Sequence, residues 1–213
     1  FEFDESTKLS KKILKRAPYF CPAIIVLAIV LIHTGEEEEV LELYKKAFKY
    51  MPDEPAVSFN YALTMFCYGN LKEGWKHYRS RWKMDSFTSP VRSFPQKLWD
   101  GSSLKGKKIV LYGEQGLGDE YRHASLVPDM LKMGAEVHVE CAPRLVDLFQ
   151  RSFEEAKVVP FPYVEAELGE IEFDFQSPIL DLGEFLRPTI DSFPSDPNYA
   201  FLKADPDRIL FWK

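Results

Sequence analysis

The sequence predicts an α + α/β chain: helical hairpins over residues 1–88, a connector over 89–106, and a parallel sheet alternating with helices over 107–213. Three observations carry this. Gly35 and Gly69 stand 34 residues apart, and so do Pro18 and Pro52, which marks a repeat of helix, turn and helix. From Lys107 onward, short apolar runs alternate with helical patterns, the mark of parallel strands joined by crossover helices. Between them, "SPVRSFPQKLWDGSS" is rich in Pro, Ser and Gly, with Phe94, Leu98 and Trp99 as apolar anchors.

The 213 residues are 46% hydrophobic, enough for a substantial core. A net charge of -6 argues against a nucleic-acid partner, which needs a concentrated basic face. Basic clusters such as Lys11, Lys12, Lys15 and Arg16 read as solvated helix faces. Cys21, Cys67 and Cys141 are odd in number and lack metal or disulfide spacing, which fits a reducing cytoplasm. "YFCPAIIVLAIVLI" (19–32) follows a basic run as a signal peptide's core would, but it is too short for a membrane span and contains Pro22. It reads as a buried helix.

Within the repeat, Ala28 matches Ala62 and Tyr44 matches Tyr78. Each unit is a helix, a Gly-containing turn and a second helix with apolar positions at helical spacing, as in Val40, Tyr44, Ala47 and Phe48. The period and the small-residue, Tyr and Pro positions resemble the tetratricopeptide repeat, over two full units (about 21–88) and a half unit ending at Pro18. Val40 and Gly74 stand where that repeat keeps Ala, Arg81 replaces a small residue, and Ser86 replaces the closing Pro. The aromatic set Tyr61, Phe66, Trp75, Tyr78 and Trp82 is expected to pack between helices. Such repeats offer a partner surface, not an active site.

In the second half, strands are predicted at "KKIVLYG" (107–113), "AEVHVECA" (135–142), "AKVVPF" (156–161) and within "FDFQSPILDL" (173–182). Helices are predicted at "DEYRHASLVPDMLKMG", with Asp119 as N-cap and Gly134 as terminator, and at "PRLVDLFQRS". The alternation implies a Rossmann-like sheet with ligands at the carboxyl ends of its strands, where "GEQGLGD" lies. That loop has the order G-x-x-G-x-G, not G-x-G-x-x-G, and carries Glu114 and Asp119, which would compete with a phosphate for the helix dipole. It suits a hydroxyl-bearing ligand instead, with Gly116 and Gly118 admitting it to the backbone.

"KLWDGSSLKGKKIVLYGEQGLGDEYRHASLVPDM", continuing through "GAEVHVECAPRLVDLF" to "YAFLKAD" and preceded by the repeats, resembles bacterial repeat-containing glycosyltransferases related to the heptosyltransferase-like family. The resemblance implies the N-terminal half of a GT-B fold, with the acceptor on this half and a nucleotide-sugar donor on a second domain. It implies that Asp119 is the general base for the acceptor hydroxyl, where a plain helix cap is the competing reading. Glu114 would orient the acceptor or the loop, and Gln115 would hydrogen-bond a sugar hydroxyl. His123, one turn after Asp119, is a candidate second proton-transfer group and Arg122 a candidate partner for an acidic acceptor. The sequence departs from the family after Gly118-Asp119, with Glu120-Tyr121-Arg122-His123 in place of small and polar residues.

Asp205 and Pro206 open a helix that runs to Lys213, and no second nucleotide-binding domain of about 100–200 residues is present in this sequence. The resemblance therefore implies no transfer by these residues alone, no metal, and no bound cofactor besides the donor of the complete enzyme. Partners are expected to be a protein or glycan acceptor met through the repeats and the sheet edge. A non-catalytic repeat scaffold for protein–protein contact is the competing function.

Overall fold

The computed structural model describes residues 2–162, 172–196 and 198–212. The chain divides into two units, Phe1–Phe87 and Thr88–Lys213. Among the described residues no helix is long and apolar enough to cross a membrane.

The first unit contains α1 (Phe3–Arg16), α2 (Cys21–Thr34), α3 (Glu37–Tyr50), α4 (Pro55–Cys67) and α5 (Leu71–Tyr78), the last tightening into a 3-10 turn at Arg79–Lys83. Each helix boundary follows from local chemistry. Pro22 and Pro55 sit in first turns, where their missing N–H is harmless, and Glu54 caps α4 by accepting the Ala56 N–H. Gly35 and Gly69 end α2 and α4 with φ of 81° and 72°, a conformation that favours glycine. Thus α2–α3 and α4–α5 share the 34-residue register. The apolar stretch 19–32 forms α2, which buries Ile24, Leu27, Ala28 and Leu31 against Val40, Tyr44, Ala47 and Val57.

Two departures from the repeat pattern have steric explanations. Where Val40 is buried in α3, the equivalent Gly74 leaves room for Phe66, and a Cβ there would stand 2.4 Å from its ring. Phe66 packs on Trp75 and Tyr78 at centroid distances of 4.6 and 5.5 Å. Gly74→Ala is expected to lose about 1 kcal/mol net, because overpacking of about 1–3 kcal/mol exceeds a helix-propensity gain of about 1; urea unfolding of the chain measures it. Where Ala47 is buried, Arg81 is also fully buried, its guanidinium 4.4 Å from the Tyr78 ring and 5.1 Å from the Trp82 ring. That side chain occupies the 3-10 turn.

The second unit is a five-stranded, all-parallel sheet of order β1-β5-β2-β3-β4: β1 (Lys97–Leu98), β2 (Lys108–Tyr112), β3 (Glu136–Cys141), β4 (Lys157–Pro160) and β5 (Phe175–Pro178). The connector 89–106 belongs to this unit, supplies the edge strand β1, and buries Trp99, whose Nε1–H donates to the Ser102 carbonyl at 3.0 Å.

The helix expected over 119–134 is divided. It begins earlier, as α6 (Leu117–His123), passes through a 3-10 turn at Ala124–Leu126, and resumes as α7 (Val127–Lys132). Pro128 has no N–H to return to the Ala124 carbonyl, which explains the break. Gly134 ends α7 with φ 77°, as expected. A 3-10 turn from Pro143 leads into α8 (Val146–Ser152). After β5 come a 3-10 turn, α9 (Gly183–Leu186), and finally α10 (Pro206–Trp212), opened by Asp205 accepting the Asp207 and Arg208 N–H groups.

In parallel pairs, registered neighbours share a sheet face. Ile109, Leu111, Val137, Val139 and Cys141 are therefore on one face, and Val110, Tyr112, His138, Glu140 and Val159 on the other. Strand β3 alternates apolar and polar residues, and the polar His138 and Glu140 are buried as well. The connector covers them: Phe94 packs on Tyr112 at 5.0 Å and joins Val110, Val159 and Phe173 in a cluster.

Candidate functional site

A cavity of about 220 Å³ opens where β2, β3 and β4 end, bounded by Thr88, Ser89, Arg92, Glu114, Gln115 and Glu120, with Cys141, Ala142 and Phe161 closing it. Its position at the carboxyl ends of parallel strands is the one such sheets use for ligands.

The loop from Gly113 to Gly118 shapes one side. Glu114 is 3% exposed and faces the cavity. Gln115 lies in the left-handed region at φ 63°, which costs about 1 kcal/mol for a residue with a side chain, and its N–H donates to Ser89 Oγ at 2.6 Å. Gly116 is the N-cap of α6 and offers no side chain. Asp119, expected as the N-cap, is instead the third residue of the helix; its Oδ2 accepts the Gly116 N–H at 3.3 Å, the return half of a capping box. Its Oδ1 meets Arg122 Nη2 at 3.3 Å, a partly exposed pair of small energetic weight. The His123 ring hydrogen-bonds the Asp119 carbonyl at 2.8 Å.

Asp119, Arg122 and His123 thus share one face of α6, as residues three and four apart do. Glu114 and Gln115 border the cavity, whereas Asp119, Gly116, Gly118, Arg122 and His123 are not among its lining residues. The carboxyl that α6 does place there is Glu120. It is 8% exposed, accepts the Ala142 N–H through Oε2 at 2.8 Å, and lies against Gly113 so closely that a Cβ on that glycine would stand 2.5 Å from the carboxyl carbon. Periodicity contained this signal: Glu120, Ala124 and Val127 are one buried stripe.

Arg92, which lines the cavity, belongs to a buried ion pair that sequence reading did not find. Arg92 Nη1 and Nη2 meet Glu140 Oε1 and Oε2 at 2.5 and 3.3 Å, with side chains 2% and 0% exposed. The guanidinium is framed by the rings of Phe94, Tyr112 and Phe161 at 5.0, 5.6 and 5.1 Å. A fork of donors matched to a carboxylate is the geometry in which arginine pairs best. No spacing rule links residues 48 apart.

Burial, reinforced by the neighbouring Glu140 charge, raises the Glu120 carboxyl above its ordinary value of 4.5. The folded chain then binds that proton more tightly than the unfolded one, so this stability contribution is full below 4.5 and lost as pH rises through the raised value. Glu120→Gln should flatten that decline, read as the difference between variant and wild-type urea midpoints across the mildly acidic range. Burial also pushes the Cys141 thiol up to about 12. Iodoacetamide near neutral pH is therefore expected to label exposed Cys67 and to reach Cys141 only after denaturation, as peptide mapping would read.

Among the described residues no group of three or more His, Cys, Asp or Glu is arranged to hold a metal. Asp205 and Asp207 have an Asp-x-Asp spacing, and Asp205 is engaged in capping α10.

No family profile matches the chain. Protein FlbA of Caulobacter vibrioides is 32% identical over 230 aligned residues, a match covering 99% of this chain and 37% of that protein. The chain thus spans little more than a third of its curated relative. An O-GlcNAc transferase mutant from Thermobaculum terrenum aligns over 79% of this chain and 40% of its own, at 15% identity and a TM-score of 0.32, too low to carry an argument.

Proposed function

We propose that this chain is the acceptor-binding portion of a glycosyltransferase of the repeat-containing, heptosyltransferase-like kind. Its tetratricopeptide-like hairpins would present a protein or glycan, and a nucleotide-sugar donor would be bound elsewhere in the complete enzyme. One observation carries the reading: the strand-end cavity is bordered by the carboxyls Glu114 and Glu120 and the amide of Gln115, while Asp119 takes the N–H of Gly116, the N-cap of α6. Such a lining suits hydroxyl groups and repels phosphate. On this reading Asp119 acts on the acceptor only after leaving its cap.

Saturation-transfer NMR on the chain tests this. Methyl glycosides are expected to receive saturation and nucleoside diphosphates are not. A nucleotide bound across Gly116 and Gly118 would overturn the reading.

The engagement of Asp119 by Gly116 and Arg122 favours a second reading, in which the sheet unit is a non-catalytic adaptor and the hairpins bind a polypeptide. Exposed Val26 and Ile29 on α2 and Leu63 on α4 fit that role. If neither sugars nor nucleotides bind, the adaptor reading stands.

A further inference from the structure

The first unit has a cleft of its own, about 430 Å³ in volume and lined by residues of α1, α2 and α3. Its lining is mostly apolar: the buried Ile24, Leu27 and Ala47, with Leu14, Leu43 and Tyr50 less covered beside them. Ile24 and Leu27 stand on the side of α2 away from the exposed Val26 and Ile29, so the cleft is a different surface of the hairpins from the one those residues offer.

Five charged side chains border the cleft, and they do not cancel. Lys11 Nζ meets Glu39 Oε1 at 2.7 Å, linking α1 to α3, and Glu42 Oε1 meets Lys45 Nζ at 3.1 Å. Both lining acids are therefore neutralised. Lys15 of α1 and Lys46 of α3 are exposed at the cleft, and among the described residues neither has an ion-pair partner. An apolar cleft within the range of binding pockets, about 300–1,000 Å³, with a surplus cation on each of two helices, complements an apolar segment flanked by carboxylates. A helix laid in a groove presents both together, because side chains three and four residues apart share a face and charges can border it.

We infer that this cleft docks an acidic amphipathic helix of a partner protein, whose apolar side chains enter among Leu14, Leu27 and Leu43 and whose carboxylates meet Lys15 and Lys46. The inference rests on the reading that the hairpins bind a polypeptide, and it adds the surface used and the chemistry of the partner.

Fluorescence anisotropy of the chain with three labelled helical peptides tests this: leucine with glutamate, leucine with lysine, and serine with glutamate, in one common pattern. Only the leucine–glutamate peptide is expected to bind saturably, and more weakly as salt is raised. Lys15→Glu/Lys46→Glu should weaken it about tenfold, the scale of two exposed ion pairs turned into repulsions, with thermal melts confirming an unchanged fold. Ile29→Ser/Leu63→Ser, away from the cleft, should leave binding as it is. In ¹⁵N NMR the peptide should shift Lys15, Leu43, Lys46 and Tyr50.

Binding that survives the lysine reversal, or equal binding of the leucine–lysine peptide, overturns this inference and leaves the polypeptide reading intact. A dimer of the chain that the lysine reversal dissolves, seen by sedimentation, would give the cleft to a second copy. Saturable shifts there with octanoate but with no peptide would give it to an acyl anion. Either result also overturns the inference. If no peptide binds the hairpins anywhere, the polypeptide reading falls with it.

Discussion

Replacing Arg92 by leucine is expected to lower the stability of the second unit by about 3–5 kcal/mol, the usual result of stranding one member of a buried ion pair. Glu140 would remain fully buried between β2 and β4 without its guanidinium, and the aromatic frame of Phe94, Tyr112 and Phe161 would lose its centre. The double variant Arg92→Leu/Glu140→Gln should recover most of the loss, because an apolar and a neutral side chain of similar volume require no counter-charge. Urea unfolding of the wild type, both single variants and the double variant completes the cycle. A single Arg92→Leu variant within about 1 kcal/mol of wild type would mean that water reaches Glu140.

Trp99→Ala should cost a comparable amount, about 3–5 kcal/mol, because a buried tryptophan leaves both a large void and an unpaired partner. Trp99 is 1% exposed, donates to the Ser102 carbonyl and packs edge-on against Phe185 at 4.9 Å. Its own N–H donates to the Gln176 carbonyl at 2.9 Å, extending the pairing of β1 with β5. The variant is expected to unfold at a lower denaturant concentration and to lose protection from amide exchange at Trp99. Trp99→Phe should recover part of the stability and none of the side-chain hydrogen bond. If the alanine variant retains wild-type exchange there, β1 is held by its backbone alone.

The elements were legible where a local rule decides them. Gly35 and Gly69 end their helices in the same left-handed geometry, Asp205 caps α10, and the four longer strands fall within the apolar runs that predicted them. The site was legible in part. The glycine loop does border a cavity, through Glu114 and Gln115, but the carboxyl that α6 turns inward is one residue beyond the one the motif emphasises. A step of one residue rotates a helical side chain by roughly 100°, enough to exchange a cavity-facing group for an outward one. Arg92–Glu140 was not legible, because its partners come from a connector and a strand 48 residues apart. Only the register Tyr112↔Glu140 and the path of the connector over that sheet face bring them together. The buried Arg81 was visible only as a departure from the repeat, since nothing local says that three aromatic rings will receive it.

The three glycines of the loop are not equivalent. Gly118 has open space where a methyl group would go, and at Gly116 the nearest atom is 3.7 Å away, whereas at Gly113 it would overlap the Glu120 carboxyl. Saturation mutagenesis should therefore give an uneven tolerance map, with alanine accepted at 116 and 118 and any side chain at 113 requiring Glu120 to shift. The motif's first letter is crowded by Glu120; the other two are not.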